Sequence, residues 1–202
     1  MLALLDYNAG NLTSVRKAFV FAGAELFTPT EPAALARARG IVVPGVGHFG
    51  ATAVLDGPWR DAIRAAVSAG TPLLGICLGL QWLFEGSDEA PGQPGLDILP
   101  GRCSLLKAGP GLKVPHVGWN ALAVRRPSRL LRDVDDGAQA YFTHSFIAPV
   151  TDACVATTTH GAPFASVVEQ GVVFGAQFHP EKSGAVGLTL VRNFLSVVRG
   201  EA

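Results

Sequence analysis

The stretch Gly75-Ile76-Cys77-Leu78-Gly79 limits what this chain can fold into more than any other. Before it, Thr71-Pro72-Leu73-Leu74 is an apolar run that reads as a buried strand. After it, Leu80-Gln81-Trp82-Leu83-Phe84-Glu85 reads as a helix with apolar residues on one side. A strand therefore runs into a tight turn and then a helix, with a cysteine at the apex. A glycine on each side lets the backbone turn without a Cβ clash. This is nucleophile-elbow spacing, with Cys in the place of Ser. It puts the Cys77 thiol at a helix N-terminus, where the dipole and free N–H groups favour thiolate. It also directs the Leu78 N–H to where an oxyanion would form. Most lone cysteines are small buried hydrophobes, and the pentapeptide alone leaves both readings open.

At 202 residues the chain is expected to form one domain, 1–202, with a full hydrophobic core. Its 16 basic and 16 acidic residues cancel, which leaves no basic excess for nucleic acid. Three cysteines without a pairing pattern imply a reducing compartment. The N-terminus reaches Asp6 too soon for a signal peptide. No apolar run approaches the roughly 20 residues of a membrane span. A cytoplasmic enzyme that binds neither nucleic acid nor membrane is expected.

The first half alternates strand and helix. Leu2–Leu5 reads as a strand, 12–22 as a helix with Asn11 as N-cap and Gly23 just past its end, and 25–27 as a strand. A short helix over 32–39 precedes a strand at Ile41-Val42-Val43, broken by Pro44-Gly45-Val46-Gly47. Pro58 to Ala69 reads as a helix closed by Gly70. This rhythm predicts a parallel sheet with helices on both faces, in which ligands bind beyond the carboxyl ends of the strands. Pro44–Gly47 and Cys77 both fall at that edge. The elbow helix is expected to run to about Glu85, with a loop over 86–100. From about Gly101 the pattern changes to short β-rich runs that suggest antiparallel strands, with a hairpin turn at Glu169-Gln170-Gly171-Val172. A last helix over 185–198 closes the chain.

A cysteine nucleophile needs a base, and the base needs an acceptor on its other nitrogen. Gly175-Ala176-Gln177-Phe178-His179-Pro180-Glu181 supplies both: a strand delivers His179 at its end, and strand-like spacing of two puts Glu181 on the same side. His48, His116, His144 and His160 compete for the role, but none has an acid two residues on. Cys103 and Cys154 lie in apolar strands and read as inert core. No Cys/His set has metal-ligand spacing, and there is no GxGxxG or P-loop, so neither metal nor cofactor is expected.

Taken in order, Pro44-Gly45-Val46-Gly47, Gly75-Ile76-Cys77-Leu78-Gly79-Leu80-Gln81 and Phe178-His179-Pro180-Glu181 resemble the class I glutamine amidotransferase family. More narrowly, Asp6-Tyr7-Asn8-Ala9-Gly10-Asn11-Leu12, Val114-Pro115-His116-Val117-Gly118-Trp119-Asn120, Tyr141-Phe142-Thr143-His144-Ser145 and His179-Pro180-Glu181-Lys182-Ser183-Gly184 resemble the branch formed by the glutaminase subunits of imidazole glycerol phosphate synthases. The resemblance implies a flavodoxin-like three-layer α/β fold. It has a largely parallel central sheet, helices on both faces and an antiparallel β-rich C-terminal part. It implies a Cys77–His179–Glu181 triad that hydrolyses L-glutamine through a thioester. The Leu78 N–H and one from Val46-Gly47 would form the oxyanion hole. Gln81, Ser145 and Glu89 match substrate-binding positions. Asn8, Asn11, Trp119 and Lys182 match segments that dock on a separate (β/α)₈ cyclase subunit, giving a heterodimer in which ammonia passes to the cyclase for histidine biosynthesis. Asp97 stands where the family leads one to expect glycine or an apolar residue. Two rivals share the elbow: the glutaminase partner of pyridoxal phosphate synthase, and a cysteine peptidase. A non-catalytic module is a third, which the intact Cys, His and Glu set opposes.

Overall fold

The computed structural model describes residues 1–9, 11–107, 109 and 111–201; Gly10, within the first docking segment, lies outside them. In order, the elements are β1 (Leu2–Leu4), α1 (Leu12–Phe21), β2 (Leu26–Phe27), β3 (Ile41–Gly45), α2 (Pro58–Ser68), β4 (Leu73–Cys77), α3 (Leu78–Trp82), β5 (Phe84–Ser87), β6 (Leu99–Leu105), β7 (His116–Ala121), β8 (Ala123–Val124), β9 (Gln139–His144), β10 (Phe146–Ile147), β11 (Cys154–His160), β12 (Ala162–Gln170), β13 (Val173–Ala176) and α4 (Gly184–Arg199). Short 3-10 turns cover Pro32–Arg37, Phe49–Leu55 and Pro180–Lys182.

Among the described residues, eight strands form the central sheet in the order β2-β1-β3-β4-β13-β12-β11-β8. It is parallel from β2 to β13 and antiparallel from β13 to β8. This is the expected mixed α/β architecture, and the antiparallel strands extend the parallel sheet. Alternate strand residues point to opposite faces. Leu2, Leu4, Val42, Leu74 and Ile76 meet Val15 and Phe19 of α1 and Leu190, Val191 and Phe194 of α4. Ala3, Leu5, Ile41, Val43 and Leu73 meet Ile63 of α2 and Leu78, Leu80 and Trp82 of α3. Both faces are therefore covered, as a parallel sheet requires.

Several expectations hold. The Asn11 Oδ1 accepts from the Ser14 N–H and caps α1, and Gly23 follows that helix at φ +85°. Gln170 pairs with Val173 across the expected hairpin turn.

Others do not. Pro44 lies inside β3 and pairs with Ile76. β1 pairs with β3 only as far as Val42, so a proline N–H is not required on that side. The segment expected as helix to Glu85 and loop to Pro100 instead ends its helix at Trp82, and β5 then runs parallel to β6. Leu96, Ile98 and Gly95 donate N–H groups to the carbonyls of Trp82, Leu83 and Glu85. These are contacts across ten or more residues, to which local periodicity is blind. Asp97, at a position where glycine or an apolar residue is expected, sits in this return at φ +55°, the left-handed region that glycine enters freely. β13 ends at Ala176, short of His179, and a 3-10 turn over Pro180–Lys182 replaces the expected strand-like spacing from His179 to Glu181.

The parallel edge positions the site. β4 lies between β3 and β13, with Gly45 beside Cys77 and Ala176 beside Ile76. Three carboxyl ends thus converge around the elbow. The turn is tight because α3 lies directly on β3: a Cβ at Gly79 would strike the Val43 carbonyl, and one at Gly75 would come within 2.5 Å of the Gly79 carbonyl oxygen. We expect Gly79→Ala to lower stability by about 1–3 kcal/mol, the usual cost of overpacking. A urea midpoint unchanged from the parent would mean that this approach is not as tight as described.

Candidate active site

Cys77 ends β4 and caps α3 with φ +53° and ψ −106°, a conformation that non-glycine residues rarely adopt. Such strain is of order 1–3 kcal/mol and persists where the surroundings over-determine it. Here the two glycines and the strands on either side do so. The sulfur lies between two groups. Gln177 Nε2 donates to it at 3.7 Å, and the Thr143 carbonyl oxygen is 3.9 Å away, placed to accept from the thiol.

His179 follows β13, with its N–H bonded to the Tyr141 carbonyl at 2.9 Å. Its Nδ1 is 2.9 Å from Glu181 Oε1, and both side chains are 2% exposed. The pair forms because the 3-10 turn over Pro180–Lys182 folds Glu181 back, not through strand-like spacing. Nδ1 is thus held by the carboxylate, and Nε2 is the ring atom left to take a proton; it has no hydrogen-bond partner among the described residues. Burial lowers the basicity of His179, but Cys77 and Glu181 together raise it by more, to about 9.

A cavity of about 290 Å³ opens at this edge, lined by residues that include Gly47, Cys77, Leu78, Gln81, Glu89 and Ser145. Leu78 opens α3, so its N–H belongs to a helical turn without internal partners. The Val46 N–H does not point into the cavity. It donates to the Ala9 carbonyl at 3.2 Å, and Gly47, at φ +91°, lines the cavity in its place. Gln81 Nε2 donates to the Phe146 carbonyl at 2.8 Å and to Gln177 Oε1 at 3.2 Å. Glu89 Oε2 accepts from the Phe49 N–H at 2.7 Å, which fixes a carboxylate at the rim. The predicted docking residues Asn8, Asn11, Trp119 and Lys182 are all exposed. Lys182 Nζ sits 5.7 Å above the Tyr141 ring, which packs edge-on against Trp119. Val114 and Val117 are exposed beside Trp119, which is itself 57% exposed.

Sequence reasoning passed over Gln177, Thr143 and Tyr7. Gln177 was the one polar residue in an apolar approach, and that was its only signal. Tyr7 is buried with its hydroxyl unpartnered among the described residues, where a Cβ on Gly45 would strike it. Burial, then the charge of Cys77, raises its pKa above the ordinary tyrosine value.

The competing histidines do other work. His48 Nδ1 accepts from the Gly50 N–H. His116, His144 and His160 form one cluster, with His160 stacked on His116 at 4.2 Å. Burial holds His116 and His144 below the ordinary imidazole value, at about 4 and 3. Among the described residues no group of His, Cys, Asp or Glu converges as metal ligands.

The two sets of histidines give opposite pH slopes. His179 binds its proton more tightly folded than unfolded, so its contribution is complete below about 6.5 and is lost as pH rises through about 9. His116 and His144 bind theirs less tightly folded, so stability falls as pH drops from about 6.5 towards 4 and 3. Urea midpoints are expected to peak near pH 6.5, and Glu181→Gln is expected to flatten the alkaline side only. An alkaline slope identical in that variant would contradict the His179–Glu181 coupling.

Residues 4–197 match the family model for class I glutamine amidotransferases. The imidazole glycerol phosphate synthase subunit HisH of Methanothermobacter thermautotrophicus is 44% identical over 98% of this chain and 100% of its own length. The subunit of the same name from Deinococcus radiodurans is 47% identical over 95% and 91%. Among solved structures, a glutamine amidotransferase superposes with a TM-score of 0.76 at 20% identity, over 98% of this chain and 100% of that one. PurLQS from Thermotoga maritima superposes with a TM-score of 0.73 at 18% identity, over 98% of each. At that identity these two speak to the fold alone. The full-length relatives and the family model together place the chain in the class I glutamine amidotransferase family.

Proposed function

We infer that this chain is a single amidotransferase domain that serves as the glutaminase subunit of an imidazole glycerol phosphate synthase, working in the cytoplasm. The observation that carries the chemistry is the strained Cys77 facing a cavity sized for one amino acid, beside a buried His179 whose Nδ1 is held by Glu181. The cavity lies at the small end of ligand pockets, roughly 300 Å³ and upward. That suits a free amino acid.

The steps follow from the geometry. His179 Nε2 takes the Cys77 proton. The sulfur attacks the side-chain amide carbon of glutamine, and negative charge forms on the amide oxygen. The Leu78 N–H, with a donor from Val46-Gly47 once that turn presents one, stabilises it. Collapse breaks the C–N bond, His179 gives its proton to the leaving nitrogen, and ammonia departs. His179 then takes a proton from water, which attacks the γ-glutamyl thioester to release glutamate and the thiol. Glu181 fixes the tautomer and balances the imidazolium in both halves. Gln81, Glu89 and Ser145 line the side of the cavity where the amino and carboxyl groups of glutamine would be held.

The relatives are named as subunits of a synthase, and the exposed Val114, Val117 and Trp119, in the segment that gives Pro115 to the cavity, suit a docking surface for its cyclase subunit. The Ala9 carbonyl holds the Val46 N–H, so release of that bond would free a donor for the oxyanion hole. Ammonia released here would pass to the cyclase and end in imidazole glycerol phosphate and aminoimidazole carboxamide ribotide.

Glutamate release is expected to be slow for the chain alone and strongly stimulated by a cyclase subunit with its nucleotide ligand. Fast turnover that ignores the partner would point to another acceptor enzyme. Cys77→Ala is expected to abolish glutamine hydrolysis and leave cyclase binding intact, and residual turnover would remove Cys77 as nucleophile. Glu181→Gln is expected to fold and to slow turnover by about 10²- to 10⁴-fold; a rate near the parent's would remove Glu181 from the triad.

A further inference from the structure

The buried face of the β7–β9 ribbon carries a chain of hydrogen bonds that the reaction does not use. His144 Nδ1 lies 3.0 Å from the Phe146 carbonyl oxygen. A carbonyl only accepts, so Nδ1 carries the proton. Nε2 of a neutral His144 is then an acceptor, and it lies 3.1 Å from His116 Nδ1, which must donate. His116 Nε2 becomes an acceptor in turn, and Asn120 Nδ2 donates to it at 3.2 Å. The orientation of Asn120 is fixed independently: its Oδ1 accepts from the Ala121 N–H at 2.8 Å, and its Nδ2 also reaches the Thr159 carbonyl at 3.0 Å. Every nitrogen of the two rings has one partner, and every bond has one direction.

The surroundings keep both rings neutral. They are 3% and 7% exposed, packed by Phe142 and Phe164 and faced by the imidazoles of His160 and, for His144, His179. Burial and the neighbouring imidazoles disfavour a cation on either.

The chain ends on the cavity. The Phe146 carbonyl receives two donors, His144 Nδ1 and Gln81 Nε2, and Thr143 to Phe146 form one wall. At the other end Asn120 adjoins Trp119, which points from the opposite face of the same strand. We propose that His116 and His144 are positioning residues, which hold the Thr143–Phe146 wall of the substrate cavity through one directed chain of Nδ1-protonated imidazoles anchored on Asn120. That the wall belongs to a glutamine site rests on the glutaminase reading; the hydrogen-bond chain does not. Neither ring has a nitrogen free to serve as a second base, and a change at Asn120 must be felt at Phe146.

Two measurements test this. Imidazole ¹⁵N–¹H correlation spectra of the chain near neutral pH are expected to show both rings protonated on Nδ1 with bare Nε2, the opposite of the tautomer that a free histidine side chain prefers. An Nε2–H tautomer or an imidazolium at either ring would overturn the proposal. Asn120→Asp replaces the donor by an acceptor. A neutral His116 must then carry its proton on Nε2, which turns its Nδ1 lone pair against that of His144; the same ¹⁵N spectra distinguish this from an imidazolium, which would keep the Nδ1–H bond. The half-saturation concentration of a glutamine-like diazoketone that alkylates Cys77 is then expected to rise about tenfold. Alkylation by iodoacetamide, which needs no wall, is expected to stay within about twofold of the parent. His116→Phe, which keeps the stacking on Phe142 but removes both hydrogen bonds, is expected to give the same split and carries the test if Asn120→Asp does not fold. Unchanged diazoketone affinity in the folded variants would sink the proposal. A parent chain that the diazoketone fails to label would sink the glutaminase reading, and the spectra alone would then decide the imidazole chain.

Discussion

The structure depends on how closely helix α3 lies on strand β3. Backbone meets backbone at Gly79 and Val43, with no side chain between them. That approach forces the chain to reverse within one residue, and the residue at the reversal is Cys77. A looser turn would relax its φ of +53° and draw the sulfur back into the core. The cost of the strain is met by two strands that cannot move, since β4 is paired on both sides, with β3 and with β13. The same pairing brings Gln177 alongside the sulfur and carries the chain on to His179. The nucleophile therefore ends one strand, and its hydrogen-bond donor and base follow the end of the adjacent strand of the same sheet.

The histidines illustrate how environment sets the role of one side-chain type. His179 and His144 are both buried, and burial alone depresses both. His179 has a carboxylate at 2.9 Å and a thiol beyond it, and these reverse the sign. His144 has only a carbonyl and another imidazole as partners and stays neutral. A cation is therefore held where the proposed reaction forms one, and is excluded from the packed ribbon nearby.

The β7–β9 ribbon separates two tasks by its pleat. His116, Asn120, Phe142 and His144 face inward, while Val117, Trp119 and Tyr141 face out. Outward, Val117 and Trp119 are exposed and Tyr141 lies under Lys182; inward, His116, Asn120 and His144 are joined by hydrogen bonds and packed against the apolar Ala140 and Phe142. A period of two residues is enough to put an exposed apolar stripe and a buried hydrogen-bonded row on opposite sides of one strand pair.

The sequence by itself determined the elements whose signals are local. These are the parallel strands as continuous apolar runs, α1 with its Asn11 cap and trailing Gly23, the terminal amphipathic helix, and the glycine-flanked cysteine with a histidine and glutamate far downstream. Such signals rest on propensity and periodicity, which neighbouring residues set among themselves. The tertiary structure decided what depends on distant backbone. Carbonyls of Trp82, Leu83 and Glu85 are claimed by residues 95–98, which ends α3 early and makes β5. Pro44 is admitted to β3 because β1 has stopped. The Val46 N–H is turned away by Ala9, and Gln177 is brought to the sulfur across a strand pair. Each depends on backbone or side chains at least ten residues away, so it follows from the fold and not from the local sequence that supplies either partner.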